Sequence, residues 1–118
     1  MYWVSPGSCA MKATKLAFYI LRGKKPVTAD RLEWCCYIKT ADRHVALDHI
    51  GKYKISTVFL GIDYGFGLTK KPLLFESMVF DENLESVEDF TRRYNTWDEA
   101  KKGHGRIVQA VRKTVAGR

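Results

Sequence analysis

Glu76 stands in the middle of an otherwise apolar run, LLFESMVF, over residues 73–80. A carboxylate in such a place is a candidate general base if it faces a closed pocket. The plainer and favoured reading puts it on an open sheet face beside Lys54 or Ser56, as a cross-strand partner. Asp63 lies in the glycine-rich segment GIDYGFGLTKKP, residues 61–72, and His104 lies on the apolar side of a helix-like segment. An enzyme built from Glu76, Asp63 and His104 needs these side chains within about 4 Å of one another or of a shared water. A packed, hydrogen-bonded His104 is the favoured alternative.

Other chemistries lack their patterns. His44, His49 and His104 form neither a His-x-x-x-His pair nor a His-Glu-x-x-His motif, so no zinc set is expected. Cys9, Cys35 and Cys36 include no Cys-x-x-Cys spacing, and the adjacent pair reads as buried apolar residues of a helix in a reducing compartment. The Gly-x-Ser-x-Gly elbow and both nucleotide-binding glycine fingerprints are missing. No catalytic residue, metal or cofactor is therefore assigned.

Charge is more informative. Twenty lysines and arginines against thirteen acids give a net charge of +7, which favours an acidic partner, either nucleic acid or an acidic protein face. Residues 81–89, DENLESVED, hold five acids, whereas Lys101, Lys102, Arg106, Arg112, Lys113 and Arg118 fill the last segment without one. Lys70, Lys71, Arg92, Arg93, Lys101, Lys102, Arg106, Arg112 and Lys113 are the candidate partner or nucleic-acid contacts. Asp63, Tyr64 and Phe66 are candidate contacts in the 61–72 loop, since long loops are often functional.

The elements that must position these residues follow from periodicity. Residues 1–10 read as an N-terminal extension and 11–118 as a single α+β domain. A first strand is expected over 14–21, stopped by a basic turn at 22–26. A helix over 28–42 has Asp30 and Glu33 as a capping box and Leu32, Cys35, Cys36 and Ile38 as its apolar face. A hairpin over 43–60 turns at Gly51–Lys52, with Tyr53, Ile55, Thr57 and Phe59 sharing one side. A third strand covers 73–80. A final helix is capped by Thr96 with Glu99, and Trp97, Ala100, His104, Ile107, Val111 and Val115 make its buried stripe. Gly103 and Gly105 in that helix suggest close approach of another backbone, that of the strand carrying Phe75. The expected fold is an antiparallel sheet of hairpin, third strand and N-terminal strand, with two helices packed on one face. The helix, three-strand, helix order parallels double-stranded-RNA-binding domains, as an analogy of topology.

No apolar run approaches the roughly 20 residues of a membrane-spanning helix, and the first residues do not read as a secretory signal, so a soluble intracellular protein without membrane contact is expected. Finally, GKKPV at 23–27, TADRHVA at 40–46, STVFLGID at 56–63, PLLFESMVF at 72–80 and RRYNTWDEAKKGH at 92–104 resemble a small family of phage and prophage proteins. This sequence departs from that family at Tyr64, where a histidine is commoner. The family carries no catalytic residues across. The resemblance implies a cytoplasmic accessory protein of an infected bacterium. It would act without a cofactor, binding and blocking a host or defence component as anti-CRISPR and anti-restriction proteins do.

Overall fold

A computed structural model describes residues 17–63, 65 and 68–117. The expected N-terminal extension, and Tyr64 and Phe66 of the loop, lie outside the described residues. The described chain is α+β, with a two-stranded and a four-stranded antiparallel sheet and two α-helices.

The first sheet is the hairpin β1 (Phe18–Arg22) and β2 (Lys25–Ala29). The expected N-terminal strand therefore exists, but it pairs with a strand that the sequence reading divides between a basic turn at 22–26 and the start of the helix at 28. Pro26 is compatible with that strand because a two-stranded ribbon has a free edge where a missing N–H costs nothing. Helix α1 (Arg31–Thr40) follows. Its Asp30 N-cap accepts from the Glu33 N–H at 2.8 Å, and the Glu33 carboxylate reaches back to the Asp30 N–H at 3.2 Å, completing the capping box. Its packing differs from the expectation. Leu32 is 75% exposed and Cys36 is exposed. The inward-leaning residues are Trp34, Cys35, Tyr37 and Ile38. The helix packs against β1, not across the larger sheet, so two helices do not share one face. A short ribbon offers less apolar area than a four-stranded sheet, and α1 buries no residue fully.

The larger sheet runs β3 (His44–Ile50), β4 (Tyr53–Phe59), β5 (Phe75–Phe80) and β6 (Arg92–Tyr94) in that spatial order. The β3–β4 hairpin turns at Gly51, whose φ of 58° suits the first position of a tight two-residue loop. The fourth strand, β6, was not expected: three residues, two of them arginines, carry no alternation to read. Helix α2 (Trp97–Ala116) lies across all four strands. Its Thr96 N-cap accepts from the Glu99 N–H at 3.2 Å.

The core lies between α2 and the sheet. Ile55 and Val79 meet Ile107, Val108 and Val111 toward one end. Phe59, Leu74, Phe75 and Ala100 fill the other, joined by Tyr19, Leu21, Tyr37, Tyr94 and Trp97. Burying each of the larger side chains contributes about 1.5–3 kcal/mol. Gly103 explains how β6 fits beneath α2: a Cβ there would collide with the Tyr94 phenol. The close approach is thus made by a side chain of β6, not by the backbone of the Phe75 strand. Nothing lies near Gly105. Val115, expected in the buried stripe, is 37% exposed.

Candidate functional site

The residues with the most reactive chemistry separate. Glu76 faces away from α2, paired across the ladder with Arg93, whose Nε donates to its Oε2 at 3.0 Å. Val58, rather than Lys54 or Ser56, is its register partner on β4. Asp63 is 8% exposed and ties the loop together, accepting from the Gly65 N–H at 2.7 Å and the Leu73 N–H at 3.0 Å. His104 lies on the opposite side of the sheet from Glu76, beneath α2. The three do not form a common site.

His104 has other partners, which the sequence reading missed. Its Nε2 is 2.7 Å from Asp48 Oδ2, its Nδ1 is 2.7 Å from Thr57 Oγ1, and Thr57 Oγ1 is 2.6 Å from Ser77 Oγ. A carboxylate only accepts, so Nε2 carries the proton toward Asp48. The Nδ1–Thr57 and Thr57–Ser77 hydrogen bonds continue the chain inward. An Asp–His–hydroxyl order is that of an activated nucleophile. Here both hydroxyls are 0% exposed, so no substrate reaches them. The chain satisfies buried polar groups where α2 crosses the sheet. The pattern could have been noticed from the strand period, since Asp48, Thr57 and Ser77 fall on the side of their strands that carries Ile55 and Phe59.

The exposed cations converge instead. At the tip of the first hairpin, Arg22 pairs with Lys25 in the ladder, with Lys24 in the turn. These residues border an open cleft of about 370 Å³ whose far wall is Thr96, Trp97 and Asp98 at the start of α2. The Lys24 ammonium stands 5.9 Å over the Trp97 ring. The 61–72 loop reaches the same end, because the Asn95 side chain donates to the carbonyls of Lys71 and Pro72 at 3.3 and 3.0 Å. Lys101 and Lys102 lie one turn further along α2, about 6 Å up its axis. Arg22, Lys24, Lys25, Lys70, Lys71, Lys101 and Lys102 are all exposed, against the carboxylates of Asp98 and Glu99 on α2's first turn. Of the candidate contacts read from sequence, four belong to this end; Arg22, Lys24, Lys25 and Trp97 were not among them.

The remaining candidates spread along the molecule. Arg106 and Lys113 fall, like Lys102, on the ridge of α2 opposite its buried stripe. Arg106 and Arg92 line a second cavity of about 340 Å³ with Asp89, Phe90 and Tyr94. Arg92 is braced there by the carbonyls of Asp89 and Thr91, at 2.9 and 2.8 Å. Arg112 is exposed near the end of α2, and Arg93 lies on the far face of the sheet.

Among the described residues no three His, Cys, Asp or Glu side chains gather as a metal site, and no helix is long and apolar enough to cross a membrane. The chain matches no protein-family model, no curated protein and no solved structure.

Proposed function

We propose that this chain is a non-enzymatic nucleic-acid-binding protein and that the basic end around the start of α2 is its contact surface. One observation carries the reading: the exposed cations Arg22, Lys24 and Lys25 of the first hairpin line an open cleft with the Trp97 ring, and the segment carrying Lys71 is tied to the same end through Asn95. Phosphate contacts need only charge at rough spacing, and an aromatic among the cations suits a nucleic acid better than a simple anion. Burial of Thr57 and Ser77 argues against this triad-like chain acting as an enzyme. The resemblance to phage proteins supplies the setting: an accessory factor in the bacterial cytoplasm that competes for a nucleic acid used by a host or defence system. The test is anisotropy of labelled oligonucleotides across a salt series. Log affinity should fall linearly with log salt, with a slope of about 0.7 to 0.9 per phosphate neutralised. A salt-independent titration, or no binding at low salt, contradicts the reading.

A second reading has its own observation. Leu68, next to Lys70 and Lys71 in the loop, is 86% exposed, which fits an acidic protein face with an apolar socket. If a host or defence protein is the partner, Leu68→Glu should abolish its capture while leaving oligonucleotide affinity within about twofold.

A further inference from the structure

We infer that the cleft at the start of α2 receives one unstacked base of a single-stranded nucleic acid on the Trp97 ring, so that the protein prefers single strands to duplexes. This rests on the nucleic-acid reading above and names the form of nucleic acid bound.

The indole is a prepared platform. It stands edge-to-face with Phe75, with centroids 6.3 Å apart and planes at 86°, which anchors it in the core. On the cleft side the ring is capped by the Lys24 ammonium at 5.9 Å. An exposed cation–π contact is a weaker hold than a stacked base. A base can therefore take the place of the ammonium, and the flexible Lys24 stem then swings to the phosphate beside it. The surrounding charges set the orientation. Asp98 on the cleft wall repels phosphate and can accept from a base N–H, so the base goes inward. Arg22 and Lys25, opposite each other on the hairpin rim, take the backbone. A volume of about 370 Å³ is within the usual range for a small-molecule site. In a duplex every base is stacked on both faces and paired, so only a single strand offers a free ring.

The experiment uses fluorescein-labelled oligo(dT) of about a dozen nucleotides and a duplex of the same length, titrated with the full chain at two salt concentrations. The expected result is about tenfold tighter binding of oligo(dT) than of duplex, with Trp97→Leu losing about tenfold for oligo(dT) only. Trp97→Phe should keep most of the affinity. Because Trp97 also packs on Phe75, a second readout is needed in the native protein. Its Trp97 indole N–H resonance, assigned with Trp97→Phe, should move on adding oligo(dT). Equal, salt-dependent binding of both probes with an unmoved indole signal overturns this inference and leaves the nucleic-acid reading standing. Failure of both probes to bind at low salt overturns the two together.

Discussion

The underside of α2 and its starting end hold comparable numbers of polar groups and use them in opposite ways. Beneath the helix, Asp48, His104, Thr57 and Ser77 bond to one another in an unbroken chain, with His104 at 4% exposure, both hydroxyls at zero and the Asp48 side chain half exposed at the outer end. At the start of the helix, lysines and an arginine stand exposed around Trp97, with more positive charge than the neighbouring carboxylates balance. Reactive residue types that are buried and mutually satisfied hold a fold together. Cations that a fold gathers at some electrostatic cost, and leaves in water, are available to a partner.

The sharpest way to break this contrast is at His104. Replacing it with alanine leaves Thr57 without its imidazole partner and opens a cavity under α2. The cost should be about 3 kcal/mol, read by urea unfolding, with oligonucleotide affinity unchanged wherever the variant is folded. A comparable loss of affinity in a folded His104→Ala protein would show that the buried chain is functional after all. The complementary change is Lys24→Glu with Lys25→Glu, which should lower affinity about tenfold or more and reduce the salt slope while leaving the unfolding midpoint nearly unmoved.

Two glycines in one helix sharpen the comparison further. Gly103→Ala should destabilise by about 1–3 kcal/mol because its methyl meets the Tyr94 phenol, outweighing the helix propensity gained. Gly105→Ala meets nothing and should stabilise by up to about 1 kcal/mol. Thermal melts of the two variants suffice.

The smallest effect is at Asp42, just before β3. Its carboxyl accepts first from the His44 backbone N–H and then from the His44 ring, which holds it below the ordinary aspartate value. A carboxyl depressed in the folded state stabilises above its unfolded value and loses that contribution as pH falls through the folded one. Asp42 is fully exposed, so the contribution is slight. Carboxyl-carbon NMR should show it titrating at lower pH than a model peptide, and His44→Ala, which keeps the backbone N–H and removes only the ring, should reduce the difference without abolishing it.

Local signals in the sequence were legible where the physics is local. The Asp30–Glu33 box, the Thr96 cap, the Gly51 turn and the alternation of Ile55, Thr57 and Phe59 all depend on neighbours within a few residues, and the structure has each of them. So does His104, read as a packed and hydrogen-bonded residue. The rest is tertiary. Arg92–Tyr94 is a strand because β5 offers it an edge, not because its residues prefer one. Lys25–Ala29 is a strand because β1 folds back on it, despite Pro26. The cysteines of α1 are expected in the core, but the helix reaches it through Tyr37, and Cys36 is exposed. Lys24, Lys70 and Lys101 are separated by more than 75 residues in all, and only the fold shows that their segments share an end. Glu76 was read rightly as a cross-strand partner, but its mate Arg93 lay on the unrecognised strand.

The most direct measurement is a residue-by-residue map: amide NMR spectra of the full chain, recorded as oligo(dT) is added. The account predicts shifts confined to residues 22–25, 69–72 and 95–102, with Asp48, Thr57 and Ser77 still. Shifts centred on the far face of the sheet, at Leu47, Val58, Met78 and Phe80, or no shifts at low salt, would contradict it.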